Sequence, residues 1–531
     1  MSLPNRNNPY NFDAYLEWRK NFNYYTDDPF IQKCVKHYCG YDWEQVDRAA
    51  RKISHKVSYR WRDMSDTIAT PENRPYLVNY DGHNHRIDRI VRPGLTETLE
   101  SEVFSEGLFS DKTLPWTKLL KMYLIYQNGE ACISCPVTCT EGVVKLLERY
   151  ADSPELHKAL KHCKEGSDGH FAIGAQYLSE IQGGSDVPSN LCEAVWEGGK
   201  WRIYGQKYFC SATHADYAVV TAKPAGSDKI AIFLVPSWLP GDKEKEQRNG
   251  TTIDRIKDKM GTSELTTAEL TLDGAVGYPV GPLERGLPIV VGVVLTYSRL
   301  TVGLSGAATM TRAAREAIHY AGFRKAFGTP IHRFPMVAGQ LQYLDDMAKS
   351  TTAGAFKVYR HFQALEGQMS EKFDATGPIE LKKRRFEARE LVMLQKITAA
   401  YDATDVIRVA MSVMGGHGVM EDFSALPRLF RDAAINELWE GPRNVLLAQI
   451  HRDFQRMSYQ YKPEDFVRFV LRGHAEQKVE SLAKEFAELV AYPSLTQMSP
   501  ETVAVCRRWD AVCADLFHAY QGLARHEVES A

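Results

Sequence analysis

The chain changes its hydrophobic period twice, and the order of those changes restricts the folds open to it. Up to about residue 168, apolar residues recur at helical spacing. Residues 116–128 (WTKLLKMYLIYQN) and 141–149 (EGVVKLLER) both place them at i, i+3 and i+4. Polar and Pro/Gly breaks interrupt this region at 68–94. From about 172 to 282 the signal turns to short strands. Residues 194–196 (AVW) and 201–204 (WRIY) flank Glu197-Gly198-Gly199-Lys200, a hairpin signature. Residues 217–222, 230–235 and 268–272 are further runs rich in β-branched or aromatic side chains. Helical period returns after Gly286 and runs through 298–324, 337–365, 379–415 and 441–456. Blocks of helix, strand and helix predict an α+β fold rather than alternating α/β units.

At 531 residues the chain exceeds the size at which one hydrophobic core usually splits. The periods divide it into a helical region at 1–168, a β domain at 169–283, a helical region at 284–456 and a tail of about three helices at 457–531. The formal net charge of −2 gives no case for nucleic acid or an acidic membrane surface. The tail is acidic if anything, with ten Lys/Arg against twelve Asp/Glu over 451–531. The longest apolar run, around 287–295, falls short of the roughly 20 residues a membrane span needs. The opening residues, MSLPNRNNPYNFDAYLEW, lack the apolar stretch of a secretory signal, which makes a cytoplasmic location the expectation.

Cys132, Cys135 and Cys139 form a C-x2-C-x3-C group, but no fourth Cys or His follows at a supporting spacing. Pro136 and the neighbouring Ile133, Val137 and Val143 read instead as a buried segment opening a helix, so no metal is expected. The ten residues Tyr177-Leu178-Ser179-Glu180-Ile181-Gln182-Gly183-Gly184-Ser185-Asp186 carry more chemistry. Hydroxyls can donate to and accept from a polar heterocycle without bringing charge, and paired glycines let a ligand approach main chain. Taken alone, the same residues also describe an ordinary glycine turn. A second polar-aromatic cluster is Gly205-Gln206-Lys207-Tyr208-Phe209-Cys210-Ser211. The later helical half adds Arg299, then Arg324-Lys325-Ala326-Phe327-Gly328, then Gly415-Gly416-His417-Gly418, and last Trp439-Glu440-Gly441-Pro442-Arg443-Asn444.

Taken in order, these groups resemble the acyl-CoA dehydrogenase family, over about residues 120–455. The resemblance implies an N-terminal helical domain, a central β-sandwich or barrel, a C-terminal helical bundle, and FAD as cofactor. Tyr177, Leu178, Ser179 and Gly184 would form a wall of the flavin site, with Ser179 on the pyrimidine edge and Ser185 along the pantetheine or pyrophosphate. Phe209 would pack on the isoalloxazine, with Cys210 beside it and Ser211 near N5. Arg324, Phe327 and Phe334 would reach the FAD of a neighbouring subunit, which implies at least a dimer and typically a homotetramer. Gly415, Gly416, Pro442 and Asn444 would complete the cofactor contacts. Arg299 and Gly441 would help place the acyl-CoA, and Glu440 matches the catalytic base.

That base has independent chemical sense. Dehydrogenation of a thioester removes a weakly acidic α-proton as hydride leaves Cβ, and burial raises a carboxylate's basicity. Relatives that carry the base on another helix do so at the position of Ser298 here, and a serine cannot serve. Ser412, Pro335, Ser263 and Pro442 depart from the common family pattern, while Trp439, the long N-terminal region and the E-x-Q-G-G-S-D-V-x-S-N stretch at 180–190 look like the AidB-like branch. Two functions follow from the resemblance. One is an acyl-CoA dehydrogenase passing electrons to an electron-transfer flavoprotein, with the small, polarizable strip at 131–140 (ACISCPVTCT) suiting a branched, cyclic or aromatic acyl group. The alternative is a flavoprotein of the alkylation response that associates with nucleic acid, against which the acidic tail argues. An oxygen-using oxidase would carry a larger C-terminal domain.

Overall fold

The computed structural model describes residues 11–167, 169–365, 367–372 and 376–531. Helices Pro115–Tyr126 and Ser134–Tyr150 stand where the apolar period placed them. The breaks at 68–94 are more than breaks. They hold an antiparallel hairpin, Tyr76–Tyr80 with Arg86–Val91. Neither strand, YLVNY or RIDRIV, alternates apolar and polar residues with a period of two, and polar contacts help to dock them. Buried Asp88 accepts from the Ile253 N–H at 2.9 Å and from Asn79 Nδ2 at 2.8 Å.

The central β region closes on itself. Strand Tyr217–Pro224 pairs with Glu193–Glu197 on one edge and Ala231–Pro236 on the other. The ring is completed through Lys200–Ser211 and Thr267–Pro279. Gly174–Tyr177 adds in parallel to Tyr217–Pro224, and Thr251–Ile256 lies along Thr267–Pro279. The Gly198-Gly199 turn has φ of 58° and 74°, which glycine adopts without a Cβ penalty. Gly205 follows a bulge and has φ 128°; a Cβ there would lie 2.7 Å from Cys192 Sγ. Gly205→Ala is therefore expected to lose about 1–3 kcal/mol in urea unfolding.

Helices Leu295–Phe323, Pro335–Gln363, Ile379–Met414 and Arg443–Met457 follow, with a shorter Leu426–Asn436 that periodicity did not separate. An 18-residue window of the helical stretch Leu283–Phe323 has a mean hydropathy of 1.7, long and apolar enough to cross a membrane by composition. The short apolar run in the sequence understated it, because small residues such as Ala307, Ala308 and Ala313 extend the stretch beyond residue 295. Yet 72% of the window is packed inside the fold, where it serves as the centre of the bundle.

The tail forms helices Pro463–Val470, Glu476–Val490 and Pro500–Glu529. Polar contacts, part-buried at Glu527 and buried at Trp509, help to dock it. Tyr38 donates to Glu527 at 3.0 Å, Lys357 pairs with Glu527 at 2.7 Å, and Trp509 Nε1 donates to Leu447 O at 3.0 Å.

Candidate active site

The glycine-serine loop and the polar-aromatic strand form one structure. The Tyr208 N–H donates to Ser179 O at 3.0 Å, and Asn190 Nδ2 donates to Leu178 O at 2.8 Å. Beneath them Lys207, wholly enclosed, meets Glu180 at 2.8 Å. The same carboxylate accepts the N–H of Leu191 at 2.5 Å and of Cys192 at 3.2 Å. Burial works to raise the Glu180 pKa, but Lys207 and these donors hold it below the ordinary carboxylate value. The sequence placed Glu180 and Lys207 in the right clusters without showing that they pair, since 26 residues separate them.

Alternation along the strand decides what each residue presents. Phe209 is 53% exposed, while Cys210 is fully buried and offers a ligand only its main chain. Ser211 Oγ lies 3.0 Å from Thr267 Oγ1. Lys257 Nζ sits 3.4 Å from the Tyr208 ring centroid and 4.5 Å from that of Phe209, a cation at this aromatic corner that the motifs did not indicate. Tyr177 is buried, and its hydroxyl reaches Ala212 O at 3.4 Å, so it braces the loop from behind. Gly184 and Ser185 lie at the exposed end of the loop.

Glu440 follows helix Leu426–Asn436 on a tight turn. It adopts φ 61° and Gly441 φ 103°, and for the non-glycine residue this left-handed conformation costs about 1–2 kcal/mol. Its Oε2 is shielded from solvent and meets no partner among the described residues. Burial pushes its pKa up to about 7, against the pull of Arg299 and Lys396. Ser298, the alternative position for a base, is buried, donates to Val294 O at 3.2 Å and accepts from Gln176 Nε2 at 3.3 Å. Arg299, expected beside the CoA chain, donates from Nε to Glu440 O at 3.0 Å. Burial and repulsion by Arg389 lower its pKa to about 10.

The remaining predicted contacts lie on two surface turns and one helix start. Arg324 ends the Leu295–Phe323 helix, and Phe327 tips a two-strand turn at φ 51° with its ring 98% exposed. Phe334 sits 6.5 Å from it, ring to ring. Gly415 and Gly416 end helix Ile379–Met414 in open space, where a Cβ would meet nothing within 4 Å. Pro442 caps helix Arg443–Met457, and Asn444 lies in its exposed first turn.

The three clustered cysteines do not converge. Cys135 Sγ lies 3.7 Å from Cys139 Sγ, while Cys132 turns toward Arg92 at 3.9 Å. Glu100, Cys132 and His214 bring ligand atoms within 4.8 Å of one another. Arg92 already lies against that trio, 2.7 Å from Glu100.

Two family models match this chain: the acyl-CoA dehydrogenase middle domain over residues 175–275, and the acyl-CoA dehydrogenase C-terminal domain over 284–454. They fall on the barrel and the bundle and together cover about half of the chain. AidB of Escherichia coli (strain K12) is 27% identical over 464 residues, 84% of this chain and 80% of that protein. The structure of Caenorhabditis elegans ACDH-11 in complex with C11-CoA superposes with a TM-score of 0.77 at 20% identity, covering 96% of this chain and 91% of that one. An acyl-CoA dehydrogenase from Bacillus anthracis complexed with FAD gives 0.68 at 16% identity, covering 96% and 83%. With the Glu440 turn and the Ser179–Ser211 wall on the same scaffold, the chain belongs to the acyl-CoA dehydrogenase family of oxidoreductases.

Proposed function

We propose that this protein oxidises an acyl-CoA thioester across Cα–Cβ, with Glu440 removing the α-proton. The observation that carries this reading is Glu440 Oε2, shielded from solvent and without a partner among the described residues, on a carboxyl that burial raises to a pKa of about 7. A buried acid without a partner is costly unless a ligand uses it. The Glu440 N–H, which finds no acceptor among the described residues, is available to the thioester oxygen, where it would stabilise the developing enolate.

FAD fits the residues present. Phe209 offers an open aromatic face on a strand shared with Ser211, and the strand is tied to the loop bearing Ser179. A Cβ at Gly183 would meet nothing within 4 Å, so main chain on that loop is approachable. Ser179, Gly184, Ser185, Phe209 and Ser211 would hold the cofactor, with Cys210 contributing main chain. Bound FAD supplies the hydride acceptor for Cβ. The bare Phe327 ring and nearby Arg324 and Phe334 suit contact with a second copy of the chain, which would share its cofactor site and its Gly415, Gly416, Pro442 and Asn444 turns. An electron-transfer flavoprotein would take the electrons onward.

Anaerobic mixing with a panel of acyl-CoAs should bleach the flavin absorbance. Absence of bleaching with every thioester, together with salt-sensitive duplex binding, would overturn this reading. The small, polarizable side chains of the 131–140 strip suit a branched, cyclic or aromatic acyl group. Octanoyl-CoA outcompeting every cyclic thioester would remove that refinement alone. Phe209→Ala is expected to weaken FAD retention by about threefold to tenfold, the worth of one aromatic stacking contact, read by fluorescence titration of the apoprotein.

A further inference from the structure

Lys396 lies near the middle of the 36-residue helix Ile379–Met414 and is fully buried. Its Nζ donates to Glu437 O at 3.0 Å and to Gly441 O at 2.7 Å. Those two carbonyls bracket Glu440 on either side. The oxygen between them, Glu440 O, is held by Arg299 from helix Leu295–Phe323. Three carbonyls of one five-residue turn are thus fixed by two cations from two long helices.

A cation near a helix C-terminus commonly satisfies the last carbonyls of that helix. Here the carbonyls belong partly to the helix end and partly to the turn beyond it, which holds two successive positive-φ residues. Such a conformation persists only where its surroundings over-determine it. We propose that Lys396 is a positioning residue, holding the 437–441 turn in the shape that aims the Glu440 carboxylate at the substrate α-carbon. This rests on Glu440 being the base.

Without the ammonium, Glu437 O and Gly441 O lose their buried donor, and the turn can relax toward ordinary backbone angles. A shift of about 1 Å in a reacting group costs on the order of 10²-fold in rate. The charge acts as well. The groups bearing on Lys396 are Glu440 and Glu437 from the turn and Arg299 from the facing helix. Those bearing on Glu440 are Arg299 and Lys396. Lys396 lowers the Glu440 pKa, so its removal should move the acid limb of the kcat profile to higher pH.

The test uses the FAD-loaded protein with Lys396→Met, and Lys396→Gln as a second variant that keeps an N–H donor should the first fail to fold. Expected in the folded variant is a fall in kcat of about tenfold or more, with the acyl-CoA KM within about twofold. The acid limb moves up in pH, and hydrogen exchange at the 437–441 amides speeds up while the bundle helices keep their protection. A folded variant with unchanged kcat, pH limb and exchange overturns the proposal. Glu440→Gln separates this from failure of the functional reading. If that variant dehydrogenates normally, Glu440 is not the base. If it is inactive while Lys396→Met is unaltered, only the positioning role falls.

Discussion

Glu440→Gln is expected to slow flavin reduction by acyl-CoA by about 10²–10⁴-fold, the range supplied by a positioned general base. The amide keeps the shape of the side chain and removes only its capacity to take a proton. Binding of the thioester should survive, so KM or Kd changes little while the rate of bleaching collapses in anaerobic stopped flow. Wild-type kcat/KM should fall on the acid side of about pH 7, because the active form is the carboxylate and burial has raised its pKa to about that value. Burial also lowers the Lys396 ammonium, which lies against the same turn, to about 7. Retained bleaching in the Gln variant, or a rate flat between pH 5 and 8, would be incompatible with this role.

Lys207→Met is expected to cost about 3–5 kcal/mol of stability, because it strands the buried Glu180 carboxylate without its counter-ion. The midpoint of thermal or urea unfolding reports this directly. Adding Glu180→Gln to the same chain should recover part of the loss, since it removes the orphaned charge, and an additive loss would show that the two do not act as a pair. The pH dependence has a definite sign. Glu180 is depressed in the folded state relative to its ordinary 4.5. Its contribution is therefore present above pH about 4.5 and is lost as the pH falls through the folded value. In the Lys207→Met variant this stretch of acid sensitivity shrinks. Loss of the pair should also loosen the Ser179 loop, so FAD retention is a second readout.

The sequence showed the order of helical and β regions and offered candidate site residues through the family resemblance, while through-space pairings escaped it. The Glu197–Lys200 hairpin and the long helices were legible because turn glycines and apolar period are local signals. The 76–91 hairpin was not, because its stability comes from Asp88 and Arg86 reaching Ile253, some 165 residues away. The same reason hid Lys396. It sits in a largely apolar helical stretch with Leu394 and Ile397, and nothing local ties it to a turn 41–45 residues further on. Arg299 was legible as a functional residue, while its contact with the Glu440 carbonyl was not. The family resemblance implied a flavin-facing strand at 205–211 but did not show that the Cys210 side chain is buried.

The 76–91 hairpin has one further effect. Asn79, Arg86 and Asp88 all bond to Ile253, Arg89 pairs with Glu246 at 2.5 Å, and Arg248 donates to Asp88 O at 3.2 Å. It therefore rivets the first helical region to the barrel from outside. A swing of the hairpin away from Glu246, Arg248 and Ile253 would have to break all five of these contacts.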